Sequence, residues 1–286
     1  MENREMHPKN PFIEDYDFDL LIQSYSILKD FVFVNEYGNK TIKFGDKHAV
    51  KALNTALLKA HYGIVWDIPE NNLCPPIPGR LDYLLHIADL FTKKDIRLLD
   101  IGTGANLIYP ILGTCHFNWQ CTGSEVDENS LINAQAIIDK NSILKKTELR
   151  HQKIKNCILE HIIQPEDAFD VVVCNPPFFK NSLEAQKGNK RKVNNLQLKE
   201  KDSLNFGGRS NELWYKGGEE AFVKKMASES MQFKNQVHWF TSLISKKENL
   251  KSIKRAINKT LPTEVKVIDM EQGNKISRFV AWTYIK

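Results

Sequence analysis

Six residues, Phe169-Asp170-Val171-Val172-Val173-Cys174, run straight into Asn175-Pro176-Pro177-Phe178, and this junction limits the fold more than any other stretch of the chain. Three consecutive valines in a short apolar run read as a strand covered on both faces, the situation of a central strand in a parallel sheet. The two prolines then remove backbone donors and fix φ, so the strand stops in a rigid extended turn that presents its carbonyl oxygens outward. The segments around it agree. Residues 96–101 form a short apolar strand ending in Gly102-Thr103-Gly104, residues 119–125 a second strand, and residues 147–152 a third. Between the second and third, residues 128–141 carry Leu131, Ala134, Ile137 and Ile138 on one helical face. Alternation of this kind predicts βαβ units and a doubly wound α/β fold. Toward the C-terminus a helix at 219–233, a strand at 237–245, a basic helix at 247–259 and strands at 265–271 and 277–285 are expected, the last two paired as an antiparallel hairpin.

The N-terminal part is different in kind. Its first 45 residues hold eight Asp/Glu against five Lys/Arg. Residues 46–62 place Val50, Leu53, Leu57 and Leu58 at helical spacing, with Gly63 as the C-terminal cap. Residues 67–79 contain Pro69, Pro75, Pro76 and Pro78 and read as an ordered loop. We therefore expect a mostly helical N-terminal appendage, residues 1–80, ahead of a domain at 81–286. Residues 179–218 lack helical or strand rhythm and read as a long loop, a feature that tends to be functional.

Composition excludes several classes. With 42% hydrophobic and 26% charged residues, the chain is neither disordered nor fibrous. No apolar run is long enough to span a bilayer and the N-terminus is too polar for a secretory leader, which places the chain in the cytoplasm. The five cysteines include no CxxC pair, so neither a disulfide framework nor a metal site is expected. The net charge of +5 is small, but residues 179–203 carry seven Lys/Arg against three Asp/Glu and residues 234–259 seven against one. Two basic segments thus sit on an otherwise acidic body.

Two constellations carry chemistry. In Leu99-Asp100-Ile101-Gly102-Thr103-Gly104-Ala105-Asn106 a strand enters a glycine turn, which lets the backbone approach a ligand at the C-terminal ends of the strands. The third glycine of a dinucleotide fingerprint is absent, since position 107 is leucine. That disfavours a pyrophosphate cradle and a nicotinamide dehydrogenase. Glu125, at the end of the second strand, is placed to accept from both ribose hydroxyls of a nucleoside. In Asn175-Pro176-Pro177-Phe178 the Asn175 side-chain oxygen and the Pro176 carbonyl can hold the two hydrogens of an exocyclic amine or amide, favouring a nucleophilic nitrogen. Phe178 stacks on the flat substrate. This is positioning with electrostatic stabilisation.

Together the two resemble class I methyltransferases that use S-adenosylmethionine and act on nitrogen. More closely, the chain resembles the family of the bacterial large-subunit ribosomal RNA adenine-N6 methyltransferase F and its eukaryotic methyltransferase-like relatives. The resemblance runs from His7-Pro8-Lys9-Asn10 through Trp66-Asp67-Ile68-Pro69, Pro78-Gly79-Arg80-Leu81-Asp82-Tyr83, the glycine turn to Pro110, Gly123-Ser124-Glu125-Val126-Asp127 and Arg150-His151-Gln152-Lys153. It continues through Cys174-Asn175-Pro176-Pro177-Phe178-Phe179 and Gly217-Gly218-Glu219 to Ser277-Arg278-Phe279-Val280-Ala281-Trp282.

The resemblance implies a mainly parallel seven-stranded Rossmann-like sheet and N6-methylation of one adenine in 23S ribosomal RNA, free or in an assembling large subunit. S-adenosylmethionine is the implied cofactor, and neither a metal, a membrane nor an obligate protein partner is implied. Arg80 would bind the methionine carboxylate, a role suited to its planar fork of donors. Gly102, Thr103 and Gly104 would line the methionine side, Glu125 the ribose and Gln152 the adenine end. Asp100 would fix the turn or meet the cofactor amine through water, and Asn175 would face both cofactor and substrate. Lys180, Lys187, Lys190, Arg191 and Lys192 would hold RNA phosphates, with the basic helix 247–259 as a second contact. Trp214 and Tyr215 either stack on a base or cap the core. The tetrapeptide also admits methylation of a protein glutamine amide, and a non-catalytic RNA-binding module is the alternative from another class.

Overall fold

The computed structural model describes residues 6–70, 72–181, 184, 213–272 and 275–285. Asp17 opens α1 (Phe18–Ser24) by accepting from the N–H groups of Asp19 and Leu20. A short antiparallel ribbon follows, β1 (Val32–Val34) against β2 (Lys40–Ile42). Helix α2 (Lys47–Tyr62) starts where the sequence places it, with Asp46 accepting from His48 and Ala49, and stops at Gly63, whose φ of 67° is the left-handed geometry a C-terminal cap requires. Helix α3 (Ile77–Ala88) begins inside the proline-rich segment read as a loop. The correction has a simple reason: a proline in the first turn removes an N–H that has no helical partner anyway. Its consequence is functional, because Arg80 lies in that first turn.

The principal sheet contains β3 (Arg97–Ile101), β4 (Gln120–Glu125), β5 (Glu148–His151), β6 (Phe169–Cys174), β7 (Val237–Ile244), β8 (Glu264–Gln272) and β9 (Lys275–Thr283). Their order is β5-β4-β3-β6-β7-β9-β8. The first five are parallel, whereas β9 runs antiparallel to both β7 and β8. The chain leaves β3 toward β4 and β5 and returns to β6 on the other side of β3, which makes β3/β6 a switch point with a ligand crevice beyond the strand ends. Helices α4 (Ile108–Phe117), α5 (Glu128–Lys140), α6 (Gly218–Ser230) and α7 (Lys247–Asn258) complete the fold.

The valine run of β6 is buried on both faces, as expected. Val171 and Val173 join the core that contains Leu53 and Leu57 of α2, Trp66, Leu81 and Leu84 of α3 and Ile111 of α4. Val172 and Cys174 face the other core with Val223 and Met226 of α6, Ile253 and Ile257 of α7, and Trp282. The N-terminal residues therefore share one core with a face of the sheet.

The long segment expected at 179–218 is structured at both ends. Phe179 forms a parallel bridge with Trp214, its N–H donating to Leu213 O (3.0 Å) while Tyr215 N–H donates to Phe179 O (3.0 Å). Helix α6 already starts at Gly218. This pairing joins segments more than 30 residues apart, so no local periodicity announces it. On α6, the buried Glu219 accepts from Ser245 N (2.6 Å), Ser245 Oγ and Asn249 Nδ2 (2.9 Å), tying α6 to the residues that lead into α7.

Candidate active site

Strand register brings the two chemical motifs together. Ile101, the last residue of β3, pairs with Cys174 of β6 on one side and with Ser124 of β4 on the other. Gly102 and Asn175 are the next residues on adjacent strands, so the glycine turn and the Asn-Pro-Pro-Phe turn leave the sheet side by side. Gly102 and Gly104 have φ of 75° and 63°, a region costly for any residue with a Cβ. The N–H groups of Gly102 and Thr103 both donate to Ser124 O (2.9 Å each), and Gly104 N–H donates to Glu125 Oε2 (3.0 Å). Across the turn, a Cβ at Gly123 would lie 3.0 Å from the Thr103 side chain, so β4 leaves space for the turn to pack.

A cavity of about 370 Å³ opens over these ends. Arg80, Gly102, Thr103, Gly104, Glu125, Gln152, Asn175 and Pro177 all line it. Glu125 is held in place by more than the turn: its Oε1 accepts from Val126 N (2.7 Å) and Asp127 N (3.0 Å). Gln152 is fixed in the same manner, donating from Nε2 to Glu160 O (2.8 Å) and accepting at Oε1 from Ile154 N (3.0 Å). The structure thus gives both residues a scaffolding role in addition to their place on the wall.

Asp100 lies beneath the turn, 1% exposed, with the Thr103 hydroxyl beside its carboxyl and no ion pair among the described residues. Burial pushes its carboxyl up to about 7, opposed by Thr103, reinforced by the Glu125 carboxylate and opposed again by Arg80. Arg80 pairs with no carboxylate among the described residues. Its Nη1 donates to Tyr109 OH (3.0 Å), and its guanidinium lies 5.7 Å from the centre of the Tyr109 ring. Arg80 therefore lines the cavity, while Asp100 lies buried behind the turn that forms its wall, and the two make no ion pair.

Beyond Cys174, the Asn175 side-chain amide and the Pro176 carbonyl make no hydrogen bond to the described residues. Phe178 is half-buried and does not line the cavity; the aromatic wall there consists of Trp214, Tyr215 and Phe222. Trp214 and Tyr215, left open by the sequence, are thus at the site, carried by the Phe179 bridge. Lys180 is exposed at the outer end of the tetrapeptide. Lys187, Lys190, Arg191 and Lys192 lie outside the described residues. Tyr109, Lys155 and Lys216 also line the cavity and were missed by the sequence reading. Only Tyr109 had a usable signal, its place in the first turn of the helix that follows the glycine turn. At the rim, Cys157, Glu160 and His161 bring one donor atom each within 4.8 Å of one another, Cys157 Sγ donating to Glu160 Oε2 at 3.5 Å.

A glycine turn without a pyrophosphate signature, opening at the switch point of a parallel sheet that ends in an antiparallel hairpin, defines the Rossmann-like class of methyltransferases. Within that class, the chain belongs to a family of RNA methyltransferases, whose model matches residues 1–286. It is 48% identical, over 98% of its length and 81% of the relative's, to a ribosomal RNA large subunit methyltransferase F of Shewanella baltica. The protein of the same name from Pseudoalteromonas translucida is 43% identical over 98% of this chain and 93% of its own length. Among solved structures, the catalytic domain of human METTL16 in complex with a MAT2A 3′UTR hairpin superposes with a TM-score of 0.85 at 32% identity, covering 99% of this chain and 96% of that one. The N-terminal domain of human METTL16 in complex with SAH gives 0.79 at 27% identity, with 98% and 99% covered.

Proposed function

We propose that the protein transfers a methyl group from S-adenosylmethionine to the N6 amine of one adenine in 23S ribosomal RNA, acting in the cytoplasm on the RNA or on an assembling large subunit. The observation that carries this reading is the Asn175 side chain on the wall of the switch-point cavity, followed at once by the Pro176 carbonyl, two acceptors that no described residue uses. The cofactor reading is supported by two ionisable side chains. A zwitterionic amino-acid end needs one cationic and one anionic partner, and Arg80 on the cavity wall and Asp100 buried behind the glycine turn, neither in an ion pair among the described residues, supply that pair of charges. S-adenosylmethionine supplies an electrophilic methyl group.

The chain's own residues do the rest by position. Arg80 presents its donors to a carboxylate, Asp100 offers a buried carboxylate to an ammonium, and Gly102 and Gly104 keep the turn free of side chains. The carboxylate of Glu125, fixed by three backbone N–H groups, faces the ribose. Asn175 and Pro176 accept the two amine hydrogens and hold the nitrogen lone pair toward the cavity, while Trp214, Tyr215 and Phe222 shield the base from water. Phe178, half-buried and outside the cavity lining, would reach the base only from the outer side of the tetrapeptide. The N-terminal part covers the cofactor through the segment before α3, where Leu73 and Pro75 line the cavity. RNA phosphates are held by Lys180 with Lys187, Lys190, Arg191 and Lys192, and by the exposed Lys247, Lys251, Lys254 and Arg255 of α7. Among the described residues no helix is long and apolar enough to cross a membrane.

The test is methyl transfer from labelled S-adenosylmethionine to ribosomal RNA, with nucleosides identified after digestion and release-factor protein as the competing substrate. Label in N6-methyladenosine is expected, and label in glutamine would overturn the assignment. Asn175→Ala is expected to lose about 100-fold or more in turnover while S-adenosylhomocysteine affinity stays within about threefold.

A further inference from the structure

We propose that Tyr109 is the positioning residue for Arg80: it holds the guanidinium by one hydrogen bond and by its ring face, so that the remaining donors point at a carboxylate in the cavity. The inference rests on the reading of Arg80 as the carboxylate ligand and goes beyond it, since neither the glycine turn nor the tetrapeptide requires a tyrosine here. Arg80 sits in the first turn of α3 and Tyr109 in the first turn of α4, so two helices converge on this contact. Nη1 donates to the Tyr109 hydroxyl at 3.0 Å, and the guanidinium carbon lies 5.7 Å from the ring centre. Both are favourable for a cation.

The need for a holder comes from Asp100. An arginine beside a buried carboxylate that has no cationic partner will pair with it unless something else orders the side chain, and Arg80 is close enough to act electrostatically on Asp100. In the structure it does not pair, and Tyr109 is the only hydrogen-bond partner of its side chain among the described residues. Tyr109 is itself immobile. It is 3% exposed, and its ring meets Tyr83 edge-on at 5.6 Å. The Tyr83 hydroxyl bonds Thr241 Oγ1 at 2.7 Å, which donates to Val172 O of the central strand at 2.9 Å. The guanidinium is thus referenced to the sheet through a relay of buried side chains.

The experiment compares two ligands by calorimetry, S-adenosylhomocysteine, which has the amino-acid end, and 5′-methylthioadenosine, which lacks it. Tyr109→Phe keeps the ring and removes the acceptor; it is expected to weaken S-adenosylhomocysteine about tenfold while 5′-methylthioadenosine changes less than about twofold. KM for S-adenosylmethionine should rise in parallel, with kcat at saturation within about twofold. Tyr109→Leu, which also removes the ring face, is expected to lose more with the same selectivity. Combined with Arg80→Met, Tyr109→Phe should add no further loss. Equal weakening of both ligands, or of neither, overturns the positioning role. Wild-type affinity in Arg80→Met would overturn the carboxylate reading itself and the positioning role with it, a result distinct from any failure of the tyrosine variants.

Discussion

Asp100 illustrates what a single buried side chain can be asked to do. With its carboxyl raised to about 7 by burial, it holds a proton in the folded ligand-free protein well above the pH at which the unfolded chain releases it. The stability this group contributes is therefore complete below about pH 4 and is lost as pH rises toward and through about 7. A bound ammonium reverses the preference by favouring the ionised form. S-adenosylhomocysteine affinity is thus expected to increase from about pH 5.5 to about 7, a window below the α-amino titration near 8. Asp100→Asn should flatten that dependence and weaken binding about tenfold at neutral pH; calorimetry across the window checks both. The same turn gives a steric prediction. Gly123→Ala places a Cβ 3.0 Å from the Thr103 side chain, so it should destabilise the protein by about 1–3 kcal/mol in denaturant unfolding. At this scale the sequence was informative wherever backbone geometry demands a residue type, as at Gly102, Gly104 and the two prolines. It was silent on Lys155 and Lys216, which line the cavity only because separate elements meet over it.

Elements were legible where their signals are local. The valine run of β6, the Asp46 and Gly63 caps of α2 and the C-terminal hairpin all follow from patterns within a few residues. Helix α3 was hidden by prolines that are compatible with a first turn, and the Phe179–Trp214 bridge by the long segment between its strands. The anchoring of the start of α7 is equally non-local, because Glu219 of α6 accepts from Ser245 and from the Asn249 side chain. Glu219→Gln is expected to cost about 2–4 kcal/mol and to lower the melting temperature by several degrees, since it turns an acceptor toward donors into a mixed group. Helix α7 buries Ile253 and Ile257 and exposes Lys247, Lys251, Lys254 and Arg255. If those cations meet phosphate, Lys251→Gln with Lys254→Gln should reduce the salt slope of RNA binding by about 2 without changing the affinity for S-adenosylhomocysteine. An unchanged slope would remove α7 from the RNA interface.

For the molecule as a whole, the net +5 resolves into two basic segments of +4 and +6 on a remainder of −5; the first leaves the tetrapeptide after β6, and the second includes α7, which follows β7. The family relationship accounts for the sheet order and the cavity, while the choice of adenine in ribosomal RNA depends on surfaces that no single motif encodes. The most direct test of the account is to map N6-methyladenosine in 23S ribosomal RNA from cells with and without this gene, and from cells in which the gene carries Asn175→Ala. The account predicts one adenine that is methylated only when the intact protein is present and unmethylated with the variant. An identical map in all three would contradict it.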